Sequence, residues 1–275
     1  MPHASHPRRQ LLALPLLPMC LPAWGGDAPV SLQVPAAQGY SRHGAYFVDL
    51  VRLALGKTGS GEPPPRFSHP PTDLPRERLR QMLQDGRLDL LWSTTSPERE
   101  AQALPVRFDL LKGANELRLL LVRAADLPAL RHVRTLQALR RWRAGSGTYW
   151  SDAGILRANG FKVETASKFE LLFPMLKAGR FDFIPRTREE IRDELDRHAG
   201  QGLAELPGLA LQYRQPLYFF VTPGKPWLAQ RLQRGLELAA ADGSFDALFM
   251  AEPGLKKALA DLRAYPGRRL QLRAR

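Results

Sequence analysis

Residues 82–94 read MLQDGRLDLLWST and residues 175–187 read MLKAGRFDFIPRT. Met82/Met175, Leu83/Leu176, Gly86/Gly179, Arg87/Arg180 and Asp89/Asp182 recur in register. Each copy predicts a helix end, a glycine stop and a short buried strand. Such a unit used twice points to an α/β chain built as two lobes of like design, with a cleft between them that suits a small molecule. Ordinary turn chemistry accounts for a Gly followed by a charge and a strand, so the repeat speaks for architecture before it speaks for activity.

The rest of the chain keeps the alternation. Strands are expected at Val30–Pro35, Leu88–Trp92, Leu117–Val122, Arg143–Gly147, Phe161–Glu164, Phe181–Ile184 and Leu217–Val221. Helices are expected at Ala45–Leu55, Leu74–Leu83, Leu136–Trp142, Asp152–Asn159 with Ser151 as its cap, Lys168–Lys177, Glu189–His198, and Trp227–Phe249 with a break near Gly243. The pattern restarts after Asp126-Leu127-Pro128. Crossings near Val122–Asp126 and Gln215–Leu217 would place residues 26–123 and 218–275 in one lobe and 124–217 in the other, joined by a two-strand hinge. With 275 residues, each lobe has enough chain for its own core.

The chain carries 40 Lys+Arg against 27 Asp+Glu. It has no basic helix with interleaved aromatics and no nucleic-acid motif, so the excess is read as a solvated surface without a nucleic-acid partner. Arg268, Arg269, Arg273 and Arg275 are expected in a frayed tail. Arg8 and Arg9 precede the apolar run LLALPLLPMCLPAW, and Ala23 and Gly25 offer small residues before a cut at Gly26. Residues 1–25 are therefore expected to be a signal peptide and the remainder periplasmic, with no membrane span. Cleavage there removes Cys20, the sole cysteine; lipid attachment at Cys20 is the alternative.

Ligands of α/β sheets sit beyond the carboxyl ends of strands, which directs attention to the residues just past each repeat strand. The first strand runs into Ser93-Thr94-Thr95-Ser96-Pro97-Glu98-Arg99. Ser96 is a helix cap with Pro97 at the first helical position, and Arg99 can fork onto a carboxylate. A capped surface helix with an idle arginine is the plainer alternative. The second runs into Pro185-Arg186-Thr187, with Arg186 at the cleft edge or on an exposed loop. The Gly145–Ser151 loop adds Gly147, Thr148 and Tyr149, where glycine allows close approach and the aromatic can cover a ligand face. The scattered histidines have no metal spacing, and no GxSxG elbow or phosphate loop is present, so neither metal, cofactor nor catalytic residue is expected.

The segment WSTTSPERE and the order of elements resemble the type II periplasmic solute-binding proteins, family 3, which serve polar amino-acid uptake. The resemblance implies the two-lobed hinged fold and a monomer. It implies a binding role, with an ABC permease or a membrane sensor as partner. It assigns the ligand carboxylate to Arg99, neighbouring hydroxyl and amide contacts to Ser93, Thr94 and Thr95, and second-lobe contacts to Gly147 and Thr148. Tyr149, Arg186 and Tyr40 complete the candidate set. Amino-acid binders of this kind carry an acid near the end of the second repeat strand. Arg186 stands there here, which points to a dianionic or strongly acidic ligand. A periplasmic dehydratase of cyclic acids on the same scaffold, with Glu98 as the nearest carboxylate, is the enzymatic alternative.

Overall fold

The computed structural model describes residues 29–37, 41–72 and 74–274. The signal-like segment 1–25, Cys20, Tyr40 and Arg275 lie outside the described residues. In the first lobe the chain forms β1 (Ser31–Gln33), α1 (Gly44–Thr58), β2 (Arg66–Ser68), α2 (Arg76–Gln84), β3 (Leu90–Thr94), α3 (Pro97–Gln102) and β4 (Leu104–Val106). The second lobe contributes β5 (Leu117–Arg123), two single-turn helices α4 (Leu127–Leu130) and α5 (Leu136–Leu139), β6 (Ala144–Gly147), α6 (Ser151–Ala158) and β7 (Val163–Ala166). It continues through α7 (Leu172–Lys177), β8 (Phe183–Arg186), α8 (Arg188–Arg197) and β9 (Leu203–Gln212). The chain then returns through β10 (Leu217–Val221), α9 (Pro226–Ala241), α10 (Ser244–Ala251), α11 (Pro253–Ala264) and β11 (Arg268–Gln271).

The repeat is a repeat of hydrogen bonds as well as of letters. Gly86 and Gly179 take positive φ, 73° and 69°, where glycine carries no steric penalty. The amide of Arg87 donates to the Met82 carbonyl and that of Gly86 to Leu83; Arg180 and Gly179 do the same to Met175 and Leu176. This is the Schellman closure, and it consumes the carbonyls that a helix end leaves unpaired. Each repeat aspartate then ties its strand to a neighbour. The Asp89 carboxylate accepts from the Gln33 amide at 2.8 Å and the Asp182 carboxylate from the Arg143 amide at 2.7 Å.

Strand β10 lies antiparallel between β3 and β4, while β1 and β2 pair in parallel. One apolar core joins these strands to α1, α9 and α10 through Leu50, Phe47, Leu90, Phe220, Leu232 and Phe249. The other sheet has the order β11-β9-β5-β8-β6-β7. Its two faces carry separate cores, one around Leu120, Phe183 and Leu211, the other around Leu119, Ile184 and Ala210. Adjacent residues of β5 point to opposite faces, so the apolar run Leu119–Val122, buried throughout, suits its central place.

Three expectations are corrected here. Residues 117–123, assigned to the first lobe, pair with β8 and β9, so the chain crosses just before Leu117 rather than near Val122–Asp126. The basic C-terminus is not frayed: Arg268–Gln271 pair in parallel with Leu209–Gln212. A third crossing therefore joins the lobes, because Leu255 and Leu259 of α11 pack in the first core and Tyr265 in the second lobe. The return crossing runs between Gln212 and Leu217. No helix among the described residues is long and apolar enough to cross a membrane.

Candidate functional site

The ends of β3, β6 and β8 and the starts of α2, α6 and α8 converge on a cleft of about 680 Å³ between the lobes. Ser93, Thr94 and Arg99 line it from one side, and Gly147, Thr148, Tyr149 and Arg186 from the other. Thr95 turns away: its hydroxyl donates to Glu100 Oε1 at 2.6 Å, and with the exposed Glu98 it lines an adjoining outer groove that shares Arg80, Arg99, Thr148, Tyr149, Ser151 and Gln215 with the cleft. Gly147 ends a strand rather than sitting in a loop, and a Cβ there would lie 2.6 Å from the Trp150 indole. Its lack of a side chain thus serves internal packing.

Local chemistry places Arg99 in the lining of this cleft. The Ser96 hydroxyl caps α3 by accepting from the Arg99 amide, with Pro97 at the first helical position. The guanidinium then reaches both lobes. Nη1 donates to the Thr94 carbonyl at 2.5 Å and the Thr94 hydroxyl at 3.2 Å, and Nη2 donates to the Tyr149 carbonyl at 2.8 Å. A second link lies beside it, where the Thr94 and Ser151 hydroxyls are 2.7 Å apart. Ser151 is not the cap of α6: that position falls to Trp150, and the Ser151 hydroxyl instead accepts from Gln215 Nε2 at 2.6 Å. Gln215, on the return crossing, also donates to Asp152 and accepts from Arg118. The Tyr149 ring, half exposed, stands 6.0 Å from the Arg80 guanidinium across the mouth.

Arg186 is only 8% exposed, and its charge is met within its own lobe. Nε donates to Glu194 Oε1 at 2.7 Å, Nη2 lies 2.5 Å from the same oxygen and 3.2 Å from Glu190, and the guanidinium stacks 4.7 Å from the Trp150 ring. Glu190 owes its position to a capping box with Thr187, which folds its carboxylate back onto the N-cap amide at the end of β8. Burial alone would raise the Glu190 carboxyl. Arg186, Arg118 and the Thr187 amide outweigh it and hold the group down at about 2, so it is anionic at neutral pH. Asp152 accepts from the Tyr213 hydroxyl at 2.5 Å and lies 3.5 Å from Arg118 Nε. Arg186, expected to turn the cleft toward a dianionic ligand, is thus already paired within its own lobe, and Glu190 and Asp152 place carboxylates in the same lining.

Arg118, Asp152, Glu190 and Gln215 were missed from the sequence. The Thr187–Glu190 spacing is a readable capping-box signal, and Asp152 falls in the first turn after the Gly-rich segment. Arg118 and Gln215 meet only through the pairing of distant crossings, which no local pattern records. Among the described residues, no group of three or more His, Cys, Asp or Glu is placed to hold a metal ion.

No protein-family model and no curated protein matches the chain. Solved structures do. An ancestral arginine-binding protein bound to arginine is 17% identical, with 82% of this chain and 98% of that one covered and a TM-score of 0.55. The ancestral amino acid-binding protein AncCDT-1, a precursor of cyclohexadienyl dehydratase, is 15% identical over 80% and 94%, TM-score 0.53. The arginine-, lysine-, histidine-binding protein ArtJ from Geobacillus stearothermophilus is 13% identical over 82% and 96%, TM-score 0.52. At these identities the likeness is one of fold: the chain has the two-lobed α/β fold of the periplasmic binding proteins.

Proposed function

We propose that this chain is an extracytoplasmic solute-binding protein that captures a small polar or carboxylate-bearing solute between its lobes. Capture would be by binding alone, with no covalent step. The observation that carries the reading is the Arg99 guanidinium, which bonds Thr94 of one lobe and the Tyr149 carbonyl of the other. A ligand carboxylate is a stronger partner for a guanidinium than a neutral carbonyl, because both oxygens accept and the bond is charge-assisted. It would take over the Tyr149 contact and reach Ser93, Thr94 and Thr148 around it. A ligand that touches both lobes binds their closed arrangement better than the open one and so shifts the population toward it. Glu190 and Asp152 give the same cleft an anionic side, so a zwitterion of the amino-acid kind fits as well as a simple acid. Export through the N-terminal segment, a monomeric state and delivery to an ABC-type permease or a membrane sensor belong to the same reading.

The test is a thermal-shift screen over amino acids, dicarboxylates and aromatic acids, followed by calorimetry. A ligand at a hundredfold its Kd stabilises by about 2.7 kcal/mol, or roughly 5–11 °C for a protein near this size. Arg99→Ala is expected to abolish that shift. A shift that survives in the variant would remove Arg99 from the site.

A further inference from the structure

His43 stands where the two lobes meet. It precedes α1 in the first lobe, and only 14% of its side chain is exposed. Nε2 lies 3.2 Å from Glu189 Oε2 on α8 of the second lobe, and Nδ1 lies 3.2 Å from Glu252 Oε1 at the start of α11. Each ring nitrogen thus faces a carboxylate oxygen. A neutral imidazole has one N–H and one lone pair, so it donates to one carboxylate and turns its lone pair toward the other. Only the imidazolium donates to both.

The junction is shaped around that ring. A Cβ at Gly254 would lie 2.8 Å from His43 Cε1 and 2.5 Å from Glu189 Oε1, so the lack of a side chain there lets ring and carboxylate meet. Glu252 is the N-cap of α11 and Glu189 lies in the first turn of α8, positions that favour an anion. The His43 contact holds the Glu189 carboxyl below its ordinary value, with Arg42 and Arg192 assisting and burial opposing. The other charged groups around the ring have partners. Arg42 pairs with Asp193 of α8, Arg188 Nε lies 3.2 Å from Asp261, and Glu190 is met by Arg186 and Arg118. Arg76 lines the same space from α2. Arginines stay charged and carboxylates ordinarily titrate near about pH 4, which leaves the imidazole as the group here whose ordinary range is about pH 5–8.

We propose that His43 is a proton-operated latch between the lobes. With its proton it ties Glu189 of one lobe to Glu252 of the other; without it, one carboxylate faces a lone pair and the tie weakens. The closed arrangement therefore binds this proton more tightly than an open one, and its population falls as pH rises. The latch acts whatever occupies the cleft, so it goes beyond the capture reading and stands or falls independently of it. A solute that depends on closure would be held more tightly in mildly acidic surroundings than above neutrality.

The experiment uses the full chain with no added solute. Cys20→Ser removes the native thiol, and spin labels are attached at Arg78→Cys in α2 and Lys168→Cys in the second lobe, both exposed positions. Distance distributions at pH 6 and pH 8 give the ratio of closed to open forms. The ratio is expected to be about threefold higher or more at pH 6, the scale of one ion pair, and to become independent of pH in His43→Gln. Glu189→Gln keeps the ring and removes only the charge across the junction, so it is expected to cut the pH dependence to less than half. Circular dichroism checks that each variant folds, and Glu189→Gln decides alone if His43→Gln does not. The same ratio at both pH values in the parent chain overturns the latch, as does a pH dependence that persists in full in either variant. A solute screen without a hit would remove the capture reading and leave this result untouched.

Discussion

Replacing Arg186 separates a structural arginine from a ligand-binding one. Arg186→Met keeps the length and packing of the stem and removes the charge. Glu194, 1% exposed, then loses both of its guanidinium contacts at Oε1, and its other oxygen has no hydrogen bond to inherit the load. Breaking a buried pair from one side costs about 3–5 kcal/mol, which corresponds to roughly 6–20 °C in melting temperature at this chain size. Trp150, whose ring lies 4.7 Å from the guanidinium, reports the change in fluorescence. The pH dependence has a defined sign. Burial already raises the Glu194 carboxyl above its ordinary value, with Arg186 opposing. Without Arg186 it rises further, so the folded form holds its proton more tightly than the unfolded chain. That contribution is present at low pH and lost as pH rises through the folded value. The deficit of Arg186→Met is thus largest near pH 8 and shrinks toward pH 5. Adding Glu194→Gln to Arg186→Met removes the stranded charge and is expected to restore more than half of the loss. Calorimetric melting of the two single variants and the double variant closes the cycle. A single-variant loss below about 1 kcal/mol, the scale of an exposed pair, would refute the reasoning and return Arg186 to the ligand.

Asp182→Asn removes the carboxylate that holds the Arg143 amide and Arg123, at a cost of roughly 1.5–3 kcal/mol at pH 7. Burial would raise this carboxyl, but the Arg143 amide and Arg123 hold it below its ordinary value. Its contribution is therefore present above the unfolded value near about 4 and lost as pH falls through the folded one. Denaturant titrations at pH 7 and pH 3 should show the two proteins diverging, then converging. Gly147→Ala drives a methyl to within 2.6 Å of the Trp150 indole and is expected to cost about 1–3 kcal/mol in a melting curve. An unchanged curve would show that Trp150 yields without penalty.

Much of the fold was legible because local chemistry determines it. A helix that ends in Leu-x-x-Gly-Arg needs the left-handed glycine wherever it occurs, and both copies of the repeat close alike. Ser96-Pro97 likewise starts a helix on local grounds and carries Arg99 into the cleft. Sheet membership was harder. LRLLLV declares a strand covered on both faces, yet nothing within it says which sheet supplies the cover. The restart at Asp126-Leu127-Pro128 proved to be a helix start inside the second lobe, with Pro128 in its first turn. The C-terminal arginines concealed a short alternation, in which Leu270 and Leu272 are buried and Gln271 and Arg273 are exposed. At the site, Arg186 was visible but its partners Glu190 and Glu194 were not singled out within the helix that follows. Glu194 is buried and Glu190 is folded back onto its own N-cap, and both supply counter-charge to Arg186.

The C-terminal strand also sets an order of events for the folding chain. Its partner β9 ends at Gln212, and the side chain of Gln212 accepts from Gln271, 59 residues later. Between them lie β10, α9 and α10, all of which belong to the first lobe. A chain emerging from its N-terminus would have β9 in place, paired with β5, while its other side still showed a row of unpaired amides and carbonyls. Such an open edge is a template for intermolecular pairing, and it lasts until Arg268–Gln271 have been made. The first lobe can be finished before the second is sealed, and the seal joins strands 59 residues apart, a non-local pairing of the kind that forms slowly.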